Sequence, residues 1–375
     1  MRAGLLAAVG VAAIALGGAA LAQDAAQEAA GTSVPAGPVT NLRDSLVRTY
    51  DTNPTIMGQR QSLRQADENV AIARAQGRPL VTSTADYSRD VLTRNSGANG
   101  SAFTLTGRVS VPLYSGGTIR NSVRAANTRV EAGRADLRAT EGDIFTEAVA
   151  AYMDVIRDRS IVELNRNQVR VLETNLQATR DRFEVGDLTR TDVAQSEARL
   201  ALARSTLALA EGRLEASEEN FRRVIGAEAG DLQPPNPLPT LPGTADQATQ
   251  IALGNNADLA SIAHQARAAG FDVRVAQGDR LPTISAVGST THVDLLGTAN
   301  NGIPNGTNPD SFTNTGVGLS LSLPLYQGGA AGARVRRARA FETQLLEQAV
   351  AIERLVISNT RAAFASYQAA LQAIE

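Results

Sequence analysis

Twice in this chain a strictly alternating apolar/polar run closes on the same short segment. The copies are Val111-Pro112-Leu113-Tyr114-Ser115-Gly116-Gly117 and Leu323-Pro324-Leu325-Tyr326-Gln327-Gly328-Gly329. A long run with helical spacing follows each, so a side-chain period of about 2 gives way to one near 3.6, and each copy marks a strand end and a helix start. The duplication reaches well beyond these marks. Upstream, Asn53-Pro54, Ala66, Val70, Ala73 and Pro79 find counterparts at one offset in Asn256-Ala257, Ala269, Val273, Ala276 and Pro282. Downstream the offset grows by about nine residues, as a longer loop in the second copy requires, and Ala151-Tyr152 falls opposite Ala363-Phe364. Pro112, Tyr114, Gly116, Gly117, Pro324, Tyr326, Gly328 and Gly329 are read as strand-to-helix junctions. Ser115-Gly116-Gly117 at a helix start can in principle hold an anion, but a structural junction is the better reading because both copies adjoin a strand end with proline.

The strands before the marks carry the strongest periodicity. Phe103, Leu105, Val109, Val111 and Leu113 share one face, and Thr104, Thr106, Arg108 and Ser110 the other; Val317, Leu319, Leu321, Leu323 and Leu325 alternate with Gly318, Ser320 and Ser322 in the second copy. A half-buried soluble sheet gives the same alternation as a membrane barrel, so periodicity alone does not choose between them. Strands of roughly 10 residues suit a tilted bilayer span. The connections Asn95 to Gly100 and Asn300 to Pro309 are rich in Gly, Asn and Ser. The preceding strands, 80 to 90 and 282 to 293, alternate less cleanly. Four strands cannot close a barrel, so a membrane reading requires several chains to share one. Leu105, Val109, Val111, Val317, Leu319 and Leu321 are then lipid-facing, and Thr104, Thr106, Arg108, Ser110, Ser320 and Ser322 line the lumen.

From Ser115 to Phe183 there is no proline, and a seven-residue series runs Val155, Val162, Val169, Leu176, Phe183. A helix of that length extends about 100 Å at 1.5 Å per residue. After a turn at Glu184 to Leu188 a second series runs Val193, Leu200, Leu207, Leu214, Phe221, so the two helices fold back as an antiparallel hairpin. Charges between these positions read as solvated faces. At the tip Gly186 supplies a positive φ that ends the first helix, and Asp192 falls in the first turn of the second.

Residues 1–22 read as a secretory signal, with Arg2, an apolar stretch from Leu5 to Leu16 and the small-x-small site Ala20-Leu21-Ala22. Residues 23–39 read as a flexible tether, 40–229 as a first helix-strand-strand-helix-helix repeat, 230–244 as a Pro-rich linker, and 245–375 as a second, incomplete repeat. On this reading a returning helix is missing after Glu375. Cysteine is absent, which removes disulfides and thiol chemistry. A formal charge of -2 without basic runs gives no nucleic-acid footprint. The two histidines, His264 and His292, have no role assigned. No nucleophile, metal-ligand or phosphate-binding pattern stands out, so the expectation is a non-enzyme without cofactor or metal.

Taken together, signal, duplicated unit, paired strands and heptad hairpin resemble the TolC-type outer membrane efflux protein family, the outer membrane factors of type I secretion and multidrug efflux. The resemblance spans Leu42 to Glu375. It rests most on Gly318-Leu319-Ser320-Leu321-Ser322-Leu323-Pro324-Leu325-Tyr326-Gln327-Gly328-Gly329 and on the tip Arg182-Phe183-Glu184-Val185-Gly186-Asp187 with Thr191-Asp192-Val193. It implies an α+β membrane protein: a homotrimer whose four strands per chain close a 12-stranded β-barrel, continued by an α-helical coiled-coil tunnel through the periplasm. It further implies a passive exit duct in the outer membrane, in contact with outer membrane lipid and energised by an inner-membrane ABC or proton-driven transporter. A periplasmic adaptor (membrane fusion) protein would touch Phe183, Val185, Gly186, Asp187, Thr189 and Asp192. Residues gating the aperture of such a duct belong to a second hairpin tip, expected beyond Glu375. The competing reading is a periplasmic coiled-coil adaptor or adhesin-like interaction protein, which would lack paired strands with a continuous apolar face.

Overall fold

The computed structural model describes residues 37–89, 101–235, 241–296 and 311–374. The signal segment, most of the tether and the two Gly/Asn/Ser-rich connections lie outside the described residues. The elements run α1 (Leu42–Thr52), α2 (Pro54–Ala75), β1 (Leu80–Arg89), β2 (Ser101–Tyr114), α3 (Thr118–Glu184), α4 (Arg190–Ile225), α5 (Ala245–Asn255), α6 (Ala257–Gly278), β3 (Thr283–Leu296), β4 (Ser311–Ser322) and α7 (Ala330–Ile374). No described helix is long and apolar enough to cross a membrane. Two compact units emerge, one of residues 1–53 and 144–236, the other of residues 54–143 and 237–375.

In the first unit α1, the later part of α3 and α4 enclose a core of Val39, Ala148, Tyr152, Val155, Phe221, Val224, Ile225, Ala227 and Leu232. Most heptad positions are covered as their spacing predicts: Val155, Val162, Val169 and Leu176 are buried on α3 and Leu200 and Phe221 on α4, while Val193, Leu207 and Leu214 are half-buried and Phe183, the last of the first series, is exposed. Charges beside that seam are paired across the helices rather than merely solvated. Arg159–Glu218 (2.8 Å), Arg166–Glu211 (2.8 Å), Glu173–Arg204 (2.7 Å) and Arg180–Glu197 (2.6 Å) recur at heptad intervals. The three exposed pairs contribute at most about 1 kcal/mol each, and Arg159–Glu218 is part-buried. Their polarity matters more. Because Glu173–Arg204 is reversed, a one-heptad slip sets Arg166 against Arg204 and Glu173 against Glu197, while the opposite slip sets Glu173 against Glu211 and Arg180 against Arg204. Either slip replaces attraction by like-charge repulsion, so the ladder specifies register.

Two details of this unit are not what local patterning suggests. On α1 the buried side chains are Ser45 and Thr49, whereas Val47 and Tyr50 are exposed. Ser45 Oγ donates to the Asn41 carbonyl (2.9 Å) and Thr49 Oγ1 to the Ser45 carbonyl (2.8 Å), so these small side chains are buried with their hydroxyls satisfied. The segment read as a tether is anchored at its end. Val39 is buried, its N–H donates to the Glu228 carbonyl (3.1 Å), and its carbonyl accepts from Gly230 N–H (3.0 Å).

The second unit holds the sheet and the helices that flank it. Val70 and Ala73 of α2 pack on Ala126 and Val130 of α3, and Ile262, Ala266 and Ala269 of α6 pack on Leu345 of α7. Alanine at the repeated positions lets both helix pairs approach closely. The strands form one antiparallel sheet in the order β1-β2-β3-β4. β2 runs on through Pro112 with a bulge before Tyr114, whereas β4 stops at Ser322. Leu323 to Leu325, expected to continue the alternation, therefore lie outside the strand. Pro324 can donate no ladder hydrogen bond there.

Candidate functional site

Three places carry the residues singled out by sequence: the hairpin tip in the first unit, and the sheet faces and strand-to-helix junctions in the second. At the tip α3 ends in a Schellman motif. Gly186 adopts φ 83°, its N–H donates to the Phe183 carbonyl (3.0 Å), and Asp187 N–H donates to the Arg182 carbonyl (2.9 Å). The Arg182 guanidinium also grips Asp187 Oδ2 through Nε (2.8 Å) and Nη2 (2.6 Å). Thr189 then caps α4 in a capping box: its Oγ1 accepts from Asp192 N–H (3.3 Å), and Asp192 Oδ2 accepts from Thr189 N–H (2.8 Å). The box was missed in the sequence reading, although the Thr-x-x-Asp spacing was there to find. With the turn satisfied internally, Val185 is left 80% exposed and Phe183 38% exposed. An apolar pair standing at the end of a rigid, polar turn is suited to a partner surface.

The Thr189 hydroxyl and then its N–H, both donated to Asp192, hold that carboxyl below the usual aspartate range. A depressed folded-state pKa means that the stabilisation is present above the unfolded pKa and fades as pH falls through the folded one. Tip protection in hydrogen exchange should therefore be complete above about pH 5 and decline as the pH falls below about 4. Asp192→Asn should remove that acid dependence, and Thr189→Ala should loosen the tip by about 1 kcal/mol at neutral pH.

In the sheet, register decides which residues share a face. The pairings Val81–Val109–Gly288–Val317 and Val111–Ala286–Leu319 form rows on one face, with Ile284–Leu321 below them. Leu105, Val109, Val111, Val317, Leu319 and Leu321 thus all stand on that face, and Val317 is 90% exposed. The opposite face carries the rows Thr82–Arg108–Ser289–Gly316 and Thr84–Thr106–Thr291–Asn314. Thr104, Ser110, Ser320 and Ser322 share it. His292 lies on the apolar face in the row of Leu105, where Nδ1 shares a hydrogen bond with Thr313 Oγ1 (2.8 Å), and His264 lies 3.2 Å from Glu131.

The two junctions have the same backbone. Gly116 and Gly117 adopt φ 60° and 79°, and Gly328 and Gly329 adopt 57° and 82°. Thr118 N–H donates to the Ser115 carbonyl and Ala330 N–H to the Gln327 carbonyl, both at 3.0 Å. Their surroundings differ. A Cβ on Gly116 would meet the Gly278 carbonyl oxygen at 2.7 Å and Leu281 Cβ at 2.8 Å, whereas nothing lies within 4 Å of one on Gly328. A carbonyl oxygen facing the first glycine is hostile to an anion.

The sequence pattern described as outer membrane efflux protein matches residues 46–227 and 248–375. The chain belongs to this family. Membership places it at the outer membrane and lends nothing to the adaptor or adhesin alternative. The outer membrane efflux protein BepC of Brucella suis is 32% identical over 302 residues, 80% of this chain and 63% of that protein. The alkaline protease secretion protein AprF of Pseudomonas aeruginosa is 30% identical over 207 residues, 54% of this chain and 42% of that protein. The chain thus spans less than two thirds of the length of these relatives. The crystal structure of the outer membrane protein VceC of Vibrio cholerae shares the fold, with a TM-score of 0.70 and 18% identity over 88% of this chain and 79% of that one.

Proposed function

We propose that this chain is one subunit of a passive outer membrane exit duct, in which three copies contribute four strands each to a single barrel above a helical tunnel. The observation that carries this reading is the two-faced sheet with unpartnered outer strands. Its apolar face is exposed, its other face is hydroxyl-rich, and β1 and β4 are the terminal strands of the sheet. Within a bilayer each unpaired backbone group at such an edge costs several kcal/mol, and pairing β4 of one copy with β1 of the next removes both edges. On this proposal residues 40–229 and 245–375 are two repeats joined by the linker 230–244. Leu105, Val109, Val111, Val317, Leu319 and Leu321 face lipid, while Thr104, Thr106, Arg108, Ser110, Ser320 and Ser322 face the lumen.

An inner-membrane transporter supplies the energy, and a periplasmic adaptor docks at Phe183, Val185, Gly186, Asp187, Thr189 and Asp192. The relatives named for efflux and for protease secretion support both cargo classes. No catalytic step, cofactor or metal enters this function.

The two faces supply the test. Val109→Arg or Leu321→Arg should cost about 2 to 4 kcal/mol near midplane and abolish recovery of assembled oligomer from outer membranes. Thr106→Lys on the opposite face should assemble normally. Equal tolerance at both faces, or recovery of the protein solely from the soluble periplasm, overturns the duct.

A further inference from the structure

The hydroxyl-rich face of the sheet is almost free of charge, which makes its two exceptions conspicuous. Register places on that face the alternate residues of every strand: Leu80 to Ser88 of β1, Ala102 to Ser110 of β2, Ser285 to Leu295 of β3 and Phe312 to Ser322 of β4. Among these described residues only Arg108 and Asp86 are ionisable. Both are exposed. Arg108 makes no hydrogen bond or ion pair among the described residues, and its cross-strand neighbours Thr82 and Ser289 carry no countercharge.

The two charges also stand apart along the sheet. Asp86 lies four residues beyond Thr82, the partner of Arg108, which is about 13 Å along an extended strand. That separation exceeds the Debye length of about 10 Å at 0.1 M salt, so the charges act as two separate bands rather than a neutral pair. Arg108 sits nearer the strand ends that lead into the helices, and Asp86 nearer the opposite ends.

Resting on the duct reading, we infer that Arg108 forms an anion-attracting band inside the barrel, followed outward by a carboxylate band from Asp86. Three copies place three guanidinium groups at one level of the lumen and three carboxylates at another. A guanidinium remains charged at any physiological pH and presents a planar fork of donors to carboxylates, phosphates and sulfates. Permeants bearing such groups, arriving from the helical end, meet the attractive band first. Low-dielectric walls strengthen its field, and rings of like charge are a general means of selecting ions in pores.

The experiment is a reversal-potential measurement on the full-length chain in planar lipid bilayers under a KCl gradient whose dilute side is about 0.1 M, where the two bands are screened from each other. Arg108→Gln should lower the chloride-to-potassium permeability ratio by about twofold or more. Arg108→Lys should keep it near the parent value, and Asp86→Asn should raise it. A conducting pore whose ratio is the same in the parent, Arg108→Gln and Asp86→Asn proteins overturns the inference while leaving the duct intact. A parent protein that inserts but conducts nothing overturns the duct and the inference together.

Discussion

Tyr152→Ala is expected to unfold the unit that carries the hairpin, with a loss of about 3 to 5 kcal/mol on denaturant titration followed by far-UV circular dichroism. Tyr152 is fully buried on α3, and its ring stands 6.3 Å from that of Phe221 on α4, which is also fully buried. Its hydroxyl reaches out of the apolar core to donate to the Gln233 carbonyl (2.6 Å), with the Thr40 carbonyl 3.2 Å away. Burial pushes the phenol above its usual pKa, so it remains a donor across the physiological range. One side chain therefore pins the segment before α1 and the segment after α4 to the hairpin. Removing it opens a cavity and takes the hydroxyl donor from the Gln233 carbonyl, while the Thr40 carbonyl keeps the Gln233 N–H (2.8 Å). Tyr152→Phe keeps the ring and loses only the hydroxyl, for which about 1 to 3 kcal/mol is expected. Equal losses in the two variants would show that the hydroxyl, and not the packing, dominates.

Gly116→Ala is the second large expected effect, and its value lies in comparison with Gly328→Ala. Both glycines have positive φ in the same turn, so a Cβ costs about 1 to 2 kcal/mol at either site from backbone strain alone. At Gly116 the added carbon would also overlap the Gly278 carbonyl and Leu281, and relieving that overlap requires α6 to move away from the junction. Overpacking of this kind adds about 1 to 3 kcal/mol. Gly116→Ala should thus lower stability by roughly twice as much as Gly328→Ala in thermal unfolding of the purified protein. A loss at Gly328 as large as at Gly116 would mean that another surface, such as a neighbouring copy, occupies the space left open within this chain.

Much of the architecture was legible because it is written in period and punctuation. The heptad series from Val155 to Phe183 and from Val193 to Phe221 predicted a hairpin, since a side chain recurring every seven residues has one stripe to bury. The doubled mark predicted two strand-to-helix junctions, and its glycines adopt the same positive φ in both copies. Gly186 and Asp192 were legible at the tip because left-handed backbone and a first-turn carboxylate each favour particular residue types.

The charge ladder, the buried Ser45 and Thr49, and the anchoring of Val39 were not legible. Each depends on which helix or loop lies opposite, and local patterning says nothing of that. Residues such as Arg166 and Glu211 look like ordinary surface charges until the antiparallel register sets them side by side.

The sequence by itself determined the kinds of element, their order, their duplication and the residues that end them, because these follow from local sterics and from the spacing of apolar side chains. Tertiary structure decided what neighbours what. It chose the shared face of β2 and β4, separated Arg108 from Asp86, and packed one junction while leaving its twin open. Pairing across the sheet and packing between helices are long-range choices made by the complementarity of whole surfaces, and two closely similar segments diverge once their surroundings differ.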